Sequence, residues 1–149
     1  MTESAPTLLI EKLVPAPPRA VFEAWLDAEA LRRFMCPAPG SSVSHVECDP
    51  RVGGKFLIVM NVGGQDLPHS GEYLEIERYT RLVFTWRSAH AGEGSRVTLQ
   101  FAERAGGQTQ LTLEHVGLAD AEIRGRHHEG WSRILAEQAT LVASRVTQR

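Results

Sequence analysis

The last part of the chain carries a helical pattern of apolar residues. Between His127 and Val146 they recur at steps of three and four, with one glutamine among them. The positions are Trp131, Ile134, Leu135, Gln138, Val142 and Val146. Residues at this spacing lie on one face of an α-helix. The pattern therefore predicts a long C-terminal helix with a single buried face.

The middle of the chain alternates with a period of two, which is typical of half-buried strands. The alternating runs are Val46 and Cys48; Phe56, Ile58, Met60 and Val62; Leu74 and Ile76; Leu82, Phe84 and Trp86; Val97, Leu99 and Phe101; and Leu111, Leu113 and His115. Short connections between such runs favour an antiparallel meander. Each strand has one apolar face, so the sheet needs a cover on one side only.

Two short helices are predicted between a first strand, Leu8–Val14, and this meander. Prolines after the strand fit a turn and the first positions of a helix. Asp27 matches the N-cap of a second helix. Glycines predict two interruptions further along the chain. Gly63-Gly64 begins a loop. Gly125 and Gly130 each lower helix propensity by ~1 kcal/mol relative to alanine, which predicts a broken helical turn before Trp131.

The predicted fold class is α+β with a helix-grip arrangement. A curved antiparallel sheet of about six or seven strands carries two short helices after strand 1 and the long C-terminal helix across its concave face. The 149 residues are enough for a single domain over residues 1–149. A straight helix on a curved sheet touches it at both ends, so we expect a gap under Leu135, Gln138 and Val142.

Composition narrows the function classes. A formal charge of −2 argues against a nucleic-acid surface. No run approaches the ~18 apolar residues of a membrane span, and the N-terminus lacks a secretory pattern, so we expect a cytoplasmic protein without membrane contact. Cys36 and Cys48 have neither zinc nor redox spacing, and no cofactor or metal is predicted.

Few residues could perform chemistry. His115 shares a strand face with Leu113 and could act in a pocket as a hydrogen-bonding group or general base, although a histidine satisfied by the backbone is the simpler interpretation. Glu72 has the same parity as Leu74 and Trp86, which predicts an inward direction and a raised pKa if it is unpaired. Neutralisation by an arginine such as Arg96 is the simpler interpretation. Gln138 is either a polar anchor for a ligand or the hydrogen-bond partner of a strand residue or a buried water. His127 is interpreted as part of a solvated helix start.

Short motifs along nearly the whole chain occur in the order typical of one family. They are Ala16-Pro17 before Val21 to Trp25; Asp49 to Gly54 with Phe56 and Met60; Gly71 to Ile76; Arg81 to Trp86; Thr109, Leu111 to Leu113, His115 and Gly117-Leu118; and Gly130-Trp131. In these the chain resembles the START-like (SRPBCC) superfamily, and within it the branch named after the activator of the heat-shock protein 90 ATPase. It departs from the branch at Phe34 to Pro37, where a Trp-Trp or Trp-Pro element usually lines the cavity mouth.

Three functions follow as hypotheses. The first is a binding module that holds a small, largely apolar molecule between helix and sheet. Its expected lining is Trp131, Leu135, Gln138, Val142, Phe56, Met60, Phe84, Trp86, Phe101, Leu113 and His115. The resemblance implies a second, a chaperone-associated protein acting through its surface, and a third, a cyclase- or lyase-like enzyme using His115 or Glu72. The residues contain no nucleophile–base set, so an enzyme is the weaker prediction; a homodimer stays open.

Overall fold

The computed structural model describes residues 7–147, and its architecture is the predicted α+β arrangement. The elements are β1 (Leu8–Val14), α1 (Pro18–Ala24), α2 (Ala28–Phe34), β2 (Ser42–Cys48), β3 (Lys55–Val62), β4 (Gln65–Glu77), β5 (Arg81–Ser88), β6 (Gly92–Arg104), β7 (Gln108–Val116) and α3 (Ala121–Thr147). Within the described residues seven strands form one sheet in the order β1-β7-β6-β5-β4-β3-β2. All neighbouring strands are antiparallel. The long helix α3 packs on this sheet.

The two short helices form where their sequence signals lie. Pro18 occupies the first turn of α1, where its missing N–H costs nothing. The Asp27 carboxylate accepts a hydrogen bond from the backbone N–H of Glu29 at 3.3 Å, so it caps α2 as predicted. The helices join through the edge-to-face rings of Trp25 and Phe34, whose centroids are 5.0 Å apart. Both helices also contact α3, and they therefore belong to the same core.

The glycine pair between β3 and β4 makes a tight turn instead of the predicted loop. Gly63 and Gly64 have φ angles of 61° and 83°. Two successive positive φ values are the requirement of the two-residue hairpin turn that matches strand twist. Val62 therefore pairs directly with Gln65, and β4 extends for 13 residues. The alternation was too weak before Leu74 to reveal this part of the strand.

The inward direction expected for Glu72 is wrong. Gly71 and Tyr73 face the core, whereas Leu74 on the other face is 37% exposed. Glu72 lies opposite Lys55 in the β3–β4 register, on the outer side of the sheet. A register shift between Tyr73 and Glu75 interrupts the alternation, so Ile76 packs against the core while Leu74 and Glu72 do not.

Helix α3 is continuous from Ala121, so the predicted break before Trp131 is also wrong. The Asp120 carboxylate accepts from the Ile123 backbone N–H at 2.9 Å and caps the first turn. Packing of the apolar face outweighs the low helix propensity of the two glycines. The face itself is confirmed from Trp131 to Val142; the side chain of Val146 lies outside the described part. Among residues 7–147 no helix combines the length and apolar character needed to cross a membrane.

We predict that Gly71→Ala strongly destabilises the fold. A Cβ at Gly71 would overlap the carbonyl oxygen of Thr85 and come within 2.6 Å of the Phe56 ring. The strands must shift to relieve this, at a cost of about 2 kcal/mol or more, which corresponds to about 5 °C or more in Tm. Thermal unfolding measures the effect. Gly94→Ala is the control, because a Cβ there meets nothing within 4 Å; equal Tm values for the two variants would contradict the prediction.

Candidate functional site

A cavity opens between the first half of α3 and strands β3, β4 and β5. Its volume is about 400 Å³. The lining residues are Pro37, Met60, His69, Trp86, Ser88, His90, Asp120, Glu122, Ile123, Arg126, His127, Gly130, Trp131 and Ile134. The chain thus contributes from the α2–β2 loop, the sheet and α3. Pro37 belongs to the segment where the family resemblance placed the cavity mouth.

The cavity does not lie under the middle of α3, where the gap was expected. Leu135, Gln138 and Val142 are all fully or almost fully buried. The Gln138 Nε2 group donates to the carbonyl oxygen of Val21 at 3.1 Å, so this side chain joins α3 to α1. The short helices occupy the space that a simple helix-on-sheet picture leaves empty. The tryptophan-lined cavity lies beyond them, toward the start of α3.

Aromatic rings form the inner wall of the cavity. The rings of Trp86 and Trp131 lie 4.8 Å apart between centroids, and His69 lies 5.1 Å from Trp86 at an interplanar angle of 33°. Met60 and Ile134 complete an apolar floor. Such a surface offers dispersion contacts and ring stacking to a flat apolar molecule.

A buried chain of hydrogen bonds fixes the two tryptophans. The Trp131 indole Nε1–H donates to His115 Nδ1 at 3.0 Å. His115 Nε2 lies 3.0 Å from the Ser95 hydroxyl, which donates to the Trp86 carbonyl oxygen at 2.6 Å. An indole N–H can only donate, so Nδ1 must be the acceptor and the proton of the neutral ring lies on Nε2. Each of these three hydrogen bonds then joins one donor to one acceptor.

This environment keeps His115 uncharged. Its side chain is 0% exposed. Burial, with a smaller contribution from the nearby His127, lowers the pKa of His115 to about 3. Both ring nitrogens are engaged, and the ring lies behind Trp131 instead of on the cavity wall. His115 is thus a satisfied core histidine, but its partners are the side chains of Trp131 and Ser95 instead of the backbone groups that the simpler interpretation expected.

Three other histidines line the cavity. Burial lowers the pKa of His69 to about 4, despite backbone interactions at Leu67 and Ile58 that raise it. His127 is half-buried, and burial likewise lowers its pKa. The third, His90, is exposed at the rim. The expectation that His127 lies at a solvated helix start is therefore wrong; it lies one turn before Trp131 on the same face of α3.

Sequence reasoning missed His69 and His90 because neither has a local signal. His69 precedes the part of β4 that alternates clearly, and His90 lies in a turn. For His127, in contrast, the spacing of four to Trp131 already placed both residues on one helix face.

The charged residues at the rim have partners within the protein. Arg126 Nη2 lies 2.8 Å from the Glu122 carboxylate, one helical turn away. The Asp120 carboxylate caps α3 through Ile123. Across residues 7–147 no group of three histidine, cysteine or acidic side chains is placed to hold a metal ion.

The predicted ligand-binding residues divide between the cavity and the core. Met60, Trp86 and Trp131 line the cavity. Phe56 and Phe84 instead face a void of about 10 Å³ deeper in the core. Phe101 packs on Phe22, with centroids 5.0 Å apart, and Leu113 is buried in the sheet. Glu72 lies on the outer face with Thr85 and Arg87, away from the cavity.

Comparison with known proteins identifies the family. The model of the Activator of Hsp90 ATPase homolog 1-like protein family matches residues 15–143. The chain belongs to this family. Comparison with curated proteins gives no match. The fold and the order of motifs along this family member agree with the START-like helix-grip architecture.

Solved structures of similar proteins support the same assignment. A protein from Chromobacterium violaceum is 30% identical with a TM-score of 0.82, covering 91% of this chain and 96% of its own. An AHSA1 protein from Silicibacter pomeroyi is also 30% identical, with a TM-score of 0.78 and coverage of 94% and 99%. An HSP90 activator from Plasmodium falciparum is 26% identical, with a TM-score of 0.73 and coverage of 92% and 96%.

We predict that His115 makes stability depend on pH. Unfolded, it titrates near 6.5; folded, its pKa is about 3. Between these values the unfolded chain binds a proton that the folded chain does not, so the free energy of unfolding falls as pH decreases below 6.5. The expected slope is about 1.4 kcal/mol per pH unit. His115→Gln should reduce the slope by this amount, measured by urea unfolding between pH 7.5 and 5.

The matched control is His128→Gln, because the exposed His128 makes no contact with the buried chain of hydrogen bonds. At pH 7.5 we expect His115→Gln to cost about 1–3 kcal/mol through the disturbed partners. A His115→Gln protein that keeps the full wild-type pH slope would contradict the assignment of His115 as a buried neutral group.

Proposed function

We propose that this protein binds a small, largely apolar molecule in the cavity between the first half of α3 and the sheet. The observation that carries the proposal is an open cavity with tryptophan walls in an otherwise filled core. Its volume of about 400 Å³ lies within the usual ~300–1,000 Å³ of small-molecule sites. Mostly apolar walls with a few polar groups are also typical of such sites.

The cavity has features of a preformed site. The ring nitrogens of His115 and Trp131 hold the wall in place without a ligand. Because the wall needs no reorganisation, a ligand would lose less free energy to ordering of side chains. Arg126 and Glu122 form an ion pair with each other, so neither charge needs a partner from the ligand. A strongly charged ligand is therefore not favoured.

Gly130→Leu tests the proposal by filling the cavity. Gly130 lies on the wall, where a Cβ would be 3.4 Å from the Pro37 Cβ, so the leucine side chain extends into the void. Replacing glycine within a helix also adds about 0.8 kcal/mol of helix propensity, and thermal unfolding checks that the variant is folded. We expect binding of a fluorescent hydrophobic probe to weaken at least about tenfold, since more than ~1.4 kcal/mol of contact is lost.

The matched control is Gly125→Leu on the same helix, where a Cβ meets nothing within 4 Å. Its probe affinity should stay within about twofold of the wild type. Equal probe binding by Gly130→Leu and the wild type, or no probe binding by the wild type, would contradict a ligand site at this cavity.

A second candidate function is action on a chaperone through the outer surface. The similarity to the HSP90 activator of Plasmodium falciparum supports it, together with the family description. The ATPase rate of a purified Hsp90-class chaperone, with and without this protein, measures it. A surface mechanism predicts that the rate rises and that Gly130→Leu, which changes only the cavity, stimulates as well as the wild type. An unchanged rate removes this candidate.

A further inference from the structure

The structure fixes which nitrogen of His127 can meet a ligand. His127 Nδ1 lies 2.9 Å from the carbonyl oxygen of Ile123, one turn back along α3. A carbonyl oxygen only accepts, so Nδ1 carries the proton of the neutral ring. The His115 ring packs edge-to-face on His127 at 5.4 Å and restrains its rotation. Nε2 is then a hydrogen-bond acceptor with no partner among the described residues, on a side chain that lines the cavity.

Another ring nitrogen in a lining residue also lacks a hydrogen-bond partner, and this one is a donor. Trp86 Nε1 is buried and makes no hydrogen bond within residues 7–147. An indole N–H is a donor only, and leaving it unsatisfied in an apolar site is unfavourable. Among the ring nitrogens of the lining residues, His127 Nε2 is thus an unpaired acceptor, while Trp86 Nε1, a donor, and His69 Nδ1 are buried without a hydrogen-bond partner among residues 7–147.

We infer that the ligand of this cavity is an uncharged aromatic molecule bearing a hydroxyl group, a phenol by chemical class, whose O–H donates to His127 Nε2. This inference rests on the proposed function, since it names the class of molecule that the same cavity takes. A hydroxyl suits the site because it both donates one hydrogen bond and accepts others. The flat walls of Trp86, Trp131 and His69 favour an aromatic body.

The rim favours a neutral hydroxyl over a carboxylate. Arg126 is paired with Glu122 at 2.8 Å, which leaves the carboxylate of Asp120 as the net charge beside the opening. A carboxylate has no hydrogen to donate to His127 Nε2. Its oxygen lone pair would face the lone pair of this nitrogen, and the two repel each other.

Three two-ring probes of nearly equal size separate these possibilities by calorimetry at pH 7.5. 2-Naphthol carries the hydroxyl, 2-methoxynaphthalene keeps the oxygen without its hydrogen, and 2-naphthoate replaces it with a carboxylate. We expect the wild-type protein to bind 2-naphthol about five- to tenfold more tightly than 2-methoxynaphthalene, as one buried hydrogen bond provides. 2-Naphthoate should bind more weakly than 2-naphthol.

His127→Phe removes the acceptor and keeps an aromatic ring. It should abolish the preference for 2-naphthol while 2-methoxynaphthalene binds within about twofold of the wild type. His128→Phe, on the adjacent exposed position, should keep the preference. In the wild type, the ¹⁵N resonance of His127 Nε2 should shift on adding 2-naphthol and not on adding 2-methoxynaphthalene, a readout that needs no variant.

The outcomes distinguish the two proposals. Equal affinity of the wild type for 2-naphthol and 2-methoxynaphthalene, or a preference for 2-naphthoate, overturns the hydroxyl inference and leaves the apolar cavity in place. Persistence of the preference in His127→Phe overturns the role of His127. Failure of all three probes to bind overturns the ligand site itself.

Discussion

The hydrogen bond from the Trp131 indole to His115 is the constraint on which the arrangement of helix and sheet depends. It is fully buried, so neither group can exchange its partner for water. Through Ser95 the same chain of bonds reaches the backbone of β5 at Trp86. It therefore connects α3 to β7, β6 and β5, and it fixes one position of the helix along the sheet. Purely apolar packing tolerates small sliding movements that this geometry does not.

The same constraint determines where space remains. Trp131 is held at the sheet, while Gln138 is tied to the backbone of Val21 in α1. Between these points Trp25 lies 6.4 Å from Trp131 and extends the packed region toward α2. The middle of α3 is consequently filled by the short helices, and the cavity forms on the other side of Trp131. Its walls are thus made of residues whose positions are set by the core.

The sequence predicted those features that depend on local pattern. The bounds of β1, the Asp27 cap and the apolar face of α3 follow from alternation, capping chemistry and helical spacing, and all three are present. The direction of His115 toward the helix also followed from strand parity. Features that depend on contacts distant in sequence were not predictable. The position of the cavity requires knowing that α1 and α2 fill the space under Gln138, and His69 reaches the site only through the pairing of β3 with β4.

Two errors show how tertiary packing overrides local preference. Gly125 and Gly130 lower helix propensity, yet α3 continues through both, because burial of Trp131 and its neighbours outweighs ~2 kcal/mol of propensity. Glu72 was placed inward by following Leu74, but the β4–β5 register shifts between Tyr73 and Glu75, so that Tyr73 occupies the core face and Leu74 is exposed.

The protonation state of His115 and His127 tests this description most directly. Long-range ¹H–¹⁵N NMR spectra assign the tautomer of each ring between pH 7.5 and 5. We expect His115 to stay neutral throughout with its proton on Nε2, and neutral His127 to carry its proton on Nδ1. A His115 that titrates near pH 6.5, or that holds its proton on Nδ1, would mean that Trp131 is not bound to it and that the constraint on helix and cavity is absent.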